Sequence, residues 1–356
     1  MSGATAGAGL GASPAVRTTT PTRRPTIADV ARLAGVSPSA VSHAFNARPN
    51  VSAATAQRIM AAADQLNWRP NVASRRVSGS AGRSLGLVVA RDHDSFERDP
   101  FFVRLLAGLT APLAEIGWSL SLTVVPPQGE LGVYRQWWNE QRVDGFVLVD
   151  VRRSDPRLAL LEELRAPAVV LGSPPAGSSV PAVTLDDQAA LEAVLDHLAD
   201  LGHRVVARVG TGHALAHEVS RAEQFTRAAR RRDIETVLLH WPDDAPDPVR
   251  ATLEARRGAT ALVVDSEVMA TELVAHAPEL GVSVPADVSV IAWEDSFVSE
   301  LVRPRLTALE APVETSARTV VDLVARLVRR EEVASVVVPG RRLVVRESTG
   351  PAPATT

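Results

Sequence analysis

Residues 26–46 read TIADVARLAGVSPSAVSHAFN, a spacing that fits two short amphipathic helices separated by a glycine. Ile27, Val30, Ala31 and Ala34 recur at helical intervals and Gly35 breaks the run. Ser37 followed by Pro38 then supplies an N-cap and a first-turn proline for the second helix. Ile27, Val30, Ala34, Val36, Val41 and Phe45 form the packing set, and Ala44 adds to the buried side of the second helix. Asn46 to Asn50 is a polar loop. A third helix starts at Val51-Ser52, places Ile59, Ala62, Ala63 and Leu66 on one face, and stops at Asn67-Trp68-Arg69-Pro70. The expectation is a small all-α domain over 26–70.

Packing accounts for the apolar positions, but nothing in a bare bundle requires Pro38, Ser39, Ser42, His43 and Asn46 on the other side of the second helix, with Thr26 and Ser37 also facing outward. These are short or planar hydrogen-bonding groups. A helix-turn-helix presents such groups to the DNA major groove, where hydroxyl, imidazole and amide meet base edges and phosphates. A solvated helix in a protein-binding bundle fits the same pattern and stays open at this point. Charge bears on the choice. Through Arg83 the chain has ten arginines against only Asp29 and Asp64, a net of +8 in a chain that totals −3, so the remainder carries −11. A basic module on an acidic body points to a polyanion as the module's partner.

From Ser84 the texture changes. LGLVVA (85–90), GFVLVD (145–150), PAVVLG (167–172), VVARVG (205–210), TALVVD (260–265) and VSVIAW (288–293) are continuous apolar runs, with helical stretches such as 187–201 and 220–232 between them. Strands apolar on both faces and separated by helices imply a parallel sheet covered on both sides, with right-handed crossovers. The number of strands exceeds one comfortable domain, so the expected form over 84–350 is two α/β lobes. Between the modules, 71–83 reads as a short marginal helix feeding a linker. Residues 1–25 are small residues, Thr and Pro with few apolar anchors, and are expected to be a disordered arm; 351–356 is a tail. The start lacks a basic stretch ahead of an apolar run, and no segment approaches the roughly 18 apolar residues needed to span a bilayer, so the expected location is cytoplasmic, without membrane contact. The chain has no cysteine, which excludes disulfides, Cys-based zinc sites and thiol catalysis.

TIADVARLAGVSPSAVSHAFN, VSAATAQRIMAAADQLNWRPN and RSLGLVV resemble the start of the LacI/GalR family of bacterial transcription regulators. DPFF (99–102), VDGFVLVD, VTLDD (183–187), HLADLGHR, VPADVSVIAWEDS, LTALEAPV and LVVRESTGP then follow in the family's order. The resemblance runs from Thr26 to Pro351. It implies a helix-turn-helix headpiece joined to a two-lobed, periplasmic-binding-protein-like effector domain. It also implies a homodimer, or a tetramer made of such dimers, that reads a pseudo-palindromic DNA operator as a repressor under control of a small ligand.

What the resemblance implies for the hinge is a helix that wedges an apolar side chain into the minor groove and kinks the duplex. Val77 stands there, where leucine is usual; Arg75 and Asn71 match positions that support the hinge or touch the backbone, unless Arg75, Arg76 and Arg83 are merely a solvated charged linker. Pro38, Ser39 and Ala40 occupy the positions that tune operator choice, and His43 stands where arginine is frequent. Arg bonds two guanine acceptors and His offers one donor, so a shifted operator preference is expected.

In the effector domain Arg221 matches an arginine that grips ligand oxygens, for which its planar fork is suited. Ser266 and Glu267 replace the family's usual Asn-Asp, and Trp293-Glu294 replaces an aromatic followed by Asp. With Phe101, Asp150 and Asp186 these form an expected cleft with an aromatic platform and several acceptors, suited to a sugar or polyol. The competing arrangement pairs Arg221 with Glu294 across the cleft and leaves Trp293 in the core. VGTGHALA (209–216) starts like a dinucleotide fingerprint but lacks the third glycine, and no helix is expected before Ser220, so it reads as a cleft loop. His213 and His217 are four apart, yet no Glu follows the first and no third ligand is evident. No metal, cofactor or catalytic residue is expected: no complete phosphate loop, nucleophile elbow or metal signature supports an enzyme. A loop histidine touching the ligand is expected to make binding pH-dependent between about 7 and 6.

Overall fold

The computed structural model describes residues 26–45, 51–66, 68, 83–91, 96–175, 177–211 and 215–354. The chain divides into two compact units, 1–82 and 83–356. Asn46, Asn71, Arg75, Val77 and His213 lie outside the described residues.

In the first unit, α1 (Ile27–Ala34), α2 (Pro38–Phe45) and α3 (Ala53–Gln65) surround a small core of Val30, Ala31, Val41, Ile59, Ala62, Ala63 and Trp68. Ile27, Ala34, Val36, Phe45 and Leu66 pack against it, half-buried. Gly35 closes α1 with φ 65°, a left-handed conformation that a side chain strains. Ser52 caps α3 by accepting the Thr55 N–H. Trp68 does more than follow a helix stop: it is 8 % exposed and meets the Phe45 ring edge-on at 5.4 Å.

The second unit contains two six-stranded sheets. One has the order β11-β5-β4-β3-β1-β2 and is parallel throughout; the other is β12-β10-β9-β8-β6-β7, parallel except for β12. β1 (Ser84–Ala90), β3 (Gly145–Leu148), β4 (Ala168–Leu171), β6 (Val205–Gly210), β8 (Ala261–Val264) and β9 (Ser289–Ala292) are the six apolar runs. β2 (Ser119–Val125) and β7 (Glu235–His240) are sheet edges.

The first lobe carries α4 (Pro100–Glu115), α5 (Glu130–Asn139), α6 (Pro156–Leu164) and, from far along the chain, α12 (Val313–Val328). The second carries α7 (Gln188–Asp200), α8 (Ala216–Arg230), α9 (Pro248–Ala255), α10 (Glu267–His276) and α11 (Phe297–Leu301). The chain passes between sheets three times: after β5 (Ala182–Leu185), after β10 (Thr307–Glu310), and between β11 (Val336–Val338) and β12 (Arg342–Val344). At the third passage Gly340 lies so close to the Asp186 carbonyl that a Cβ there would sit 1.8 Å from the oxygen.

The helix after β6 starts at Ala216, four residues before the expected Ser220, so His217 and Glu218 belong to its first turn. The polar composition of HEVSR hides this start: tertiary burial of Glu218 and Phe225, rather than an apolar stripe, holds the helix.

Candidate functional site

Parallel α/β sheets place ligands beyond the carboxyl ends of their strands, and a cleft of the second unit is built there. Arg91 follows β1, Asp150 follows β3, Asp187 follows β5, Asp265 follows β8 and Glu294 lies just past β9, all lining a cavity of about 770 Å³ between the lobes. Phe101, Arg221, Glu267, His217 and Arg341 also line it.

Alternation along β9 sends Trp293 to the same side as Ile291, under α7 and α8, where it is fully buried. Arg221, on α8, stacks on it with its guanidinium carbon 4.8 Å from the ring centroid. The arginine's nearest acid is Asp265, Nη1 to Oδ1 3.8 Å, too long for a hydrogen bond. Asp265 Oδ1 and Arg341 Nε are buried with no hydrogen-bond partner among the described residues. The cleft residues therefore include a donor and an acceptor with no partner among the described residues, which suits a ligand with several hydroxyls. Burial pushes Arg221 down to about 10, against the pull of Asp265 and with the push of Arg341; it stays charged at neutral pH. Burial pushes Glu294 up to about 7, opposed by Arg341 and reinforced by Asp99.

The other expected residues are placed as follows. Phe101 is half-buried in the first turn of α4, edge-on to Phe102 at 5.5 Å. Asp150 adopts φ 51° and accepts from Arg91 Nε at 2.9 Å, while Arg91 Nη1 reaches Asp99 at 2.8 Å. Arg157 Nη2 holds the Asp150 carbonyl at 3.0 Å, fixing that left-handed turn. Glu267 is buried, and one of its oxygens accepts the backbone N–H groups of Ser296 and Ser299, at 2.9 and 3.1 Å, together with the Ser299 hydroxyl. It ties the cleft wall to α11. Trp293 is core rather than a cleft platform, because strand parity turns it inward; Arg221 does not pair with Glu294, so only half of the competing arrangement holds. Asp186 is exposed and outside the cleft; its neighbour Asp187 lines it and is bound by Arg341, which also stands 3.7 Å from Glu294. His217 lines the cleft, but burial and then Arg221 and Arg341 hold its imidazole well below its ordinary value. For His217 this works against the pH dependence expected of a loop histidine at the ligand, while His213 lies outside the described residues.

In the first unit α2 exposes Pro38 and Ser39 and half-exposes Ala40, Ser42 and His43. Thr26 and Ser37 are engaged in holding helix starts. The Thr26 hydroxyl donates to Asp29 at 2.6 Å, and Ser37 Oγ accepts the Ala40 N–H at 3.2 Å and lies 2.8 Å from the Ser39 hydroxyl.

Arg341, Asp187, Asp265 and Arg91 are cleft residues that sequence reasoning passed over. Asp265 closes TALVVD as Asp150 closes GFVLVD, and that repeated signal was available.

Residues 26–71 match the model for bacterial regulatory proteins of the lacI family, and 195–349 match a periplasmic binding protein-like domain. An uncharacterized HTH-type transcriptional regulator in the aml 5′ region of Streptomyces limosus is 30 % identical over 316 residues, covering 83 % of this chain and 86 % of that one. The structure of a transcriptional regulator CelR–cellobiose complex superimposes with a TM-score of 0.67 at 26 % identity, over 91 % of this chain and all of the other. The Lac repressor dimer bound to operator and the anti-inducer ONPF shares the fold, with a TM-score of 0.77 at 22 % identity over 92 % of this chain and all of the other. With the helix-turn-helix unit and the two-lobed unit each matched, the chain belongs to the LacI family of DNA-binding transcriptional regulators.

Proposed function

We propose that the protein is a repressor that binds a pseudo-palindromic operator as a homodimer, and that a sugar-like or polyol ligand in the inter-lobe cleft sets its hold on DNA. The observation that carries this reading is the Arg221 guanidinium, stacked on buried Trp293 beside the unpartnered Asp265 Oδ1 on the same chain as a helix-turn-helix unit. A planar donor fork next to a carboxylate oxygen suits vicinal hydroxyls. The cellobiose bound by the CelR relative is of that chemical class. Phe101, Asp150 and Glu294 complete the ligand's surroundings, and Glu267 links them to α11. On the DNA side, Pro38, Ser39, Ala40, Ser42, His43 and Asn46 face the major groove, with Thr26 and Ser37 at helix starts near phosphates. Asn71 and Arg75 support the hinge, and Val77 is the minor-groove wedge.

The dimer has separate support. Val103 on α4, and Phe297 and Leu301 four apart on α11, are 65 %, 68 % and 69 % exposed, apolar surface that association would cover. Selection of genomic fragments by the full chain, followed by titration of candidate saccharides against the recovered operator, tests the whole reading. Recovery of one enriched inverted repeat, released or tightened by a saccharide, is the expected result; no enrichment over bulk DNA sinks it.

A further inference from the structure

A second cavity, about 690 Å³, lies in the second lobe between α8 and the strands β6 and β7. Its floor comes from paired positions on one face of the sheet edge: Arg208 opposite Leu238, and Gly210 opposite His240. Its wall comes from one face of α8. Val219 and Ala222 add to the apolar surface offered by Leu238, which is 52 % exposed. Arg227 and Arg230, one turn apart and exposed, make no ion pair with any described residue. Arg208 is 4 % exposed; its Nη2 binds Asp265, but its buried Nε–H has no hydrogen-bond partner among the described residues. Such a donor, removed from water and unmet, is costly unless something brings an acceptor to it. Two acids also line the wall: Glu218, which accepts the Thr211 hydroxyl, and the exposed Glu223, whose nearest cation is Arg153 at 3.8 Å.

We propose that this groove is a second ligand site, for a small organic oxyanion with an apolar body. The charge is held by Arg227 and Arg230, an acceptor oxygen meets Arg208 Nε–H, and the body lies over Leu238, Val219 and Ala222. The volume is that of an ordinary small-molecule site, and two free guanidinium groups flanking an apolar floor select an anion with a hydrophobic portion over a neutral sugar. The proposal does not depend on the effector reading of the inter-lobe cleft, from which it differs in residues except for the shared wall at Glu218.

The test is calorimetric titration of the full chain, at low salt, with phenyl phosphate as probe and inorganic phosphate and benzyl alcohol as its separated halves. Wild type is compared with the exposed-residue double variant Arg227→Ala/Arg230→Ala and with Arg221→Ala. Saturable binding of one phenyl phosphate per chain is expected, at least tenfold tighter than either half, weakened about tenfold or more in the double variant and retained in Arg221→Ala. Three outcomes overturn the proposal: no saturable binding, binding in which inorganic phosphate matches phenyl phosphate, or loss in Arg221→Ala with the double variant unaffected, which would put the anion in the cleft.

Discussion

Arg221 and Glu294 show how burial makes single residues responsive. Because Arg221 rests on an indole and faces Asp265 at a distance no hydrogen bond spans, truncating it removes ligand contacts and breaks no hydrogen bond to Asp265, which keeps its bond to Arg208. Arg221→Ala is expected to abolish the ligand response of operator binding and leave ligand-free operator affinity within about twofold, in keeping with a change in a different compact unit from the reading helix; an unchanged dose response would remove it from the site. Glu294 titrates near 7 in the folded chain against an ordinary 4.5, so between those values the folded state holds the extra proton. The stability this group contributes is complete below about pH 4.5 and is lost as pH rises through 7. Urea midpoints are therefore expected to fall more from pH 5 to 8 for wild type than for Glu294→Gln; parallel curves would refute the assignment. Arg221, Glu294, Phe101 and Asp150 were legible in the sequence because each stands next to a family motif or closes an apolar run. Arg341 and Asp187 were not: residues 154 apart meet only where two passages of chain run side by side, and no local pattern encodes that meeting.

At the scale of elements, the helix-turn-helix unit rests on few side chains, so each counts heavily. Ile59 is fully buried among Val30, Val41 and Trp68. Ile59→Ala is expected to cost about 2–5 kcal/mol, enough to unfold a unit with so small a core and abolish operator binding. Because the two-lobed unit is separately compact, ligand binding measured by calorimetry on the same variant should persist. Three helices and six central strands were readable from periodicity, since a strand buried on both faces must be continuously apolar. Trp68 was read as a helix stop because its packing partner, Phe45, lies on another helix. The start of α8 was misplaced because tertiary contacts, rather than its own sequence, stabilise its first turn.

Two properties belong to the whole molecule. A module of charge +8 on a body of −11 makes the operator complex electrostatic at long range, and affinity is expected to fall by about 10³-fold or more between 50 and 200 mM salt for an interface of six or more phosphates; a flat salt profile in filter binding would exclude such an interface. Association through α4 and α11 should be sensitive to charge, so Phe297→Asp/Leu301→Asp is expected to sediment as a monomer where wild type sediments as a dimer. The three passages between the sheets carry a consequence for biosynthesis. α12 supplies Val313, Ala317, Val320, Val321 and Val324 to the core of the lobe that begins at β1, and β11 forms that lobe's edge. On the ribosome the earlier lobe is thus begun first but completed only after most of the later lobe, from β6 to β10, has been made. It must wait, with the Val147 and Leu109 surfaces uncovered, until the segment through Val338 has emerged, and a nascent chain halted before α12 would expose an incomplete core to chaperones and proteases.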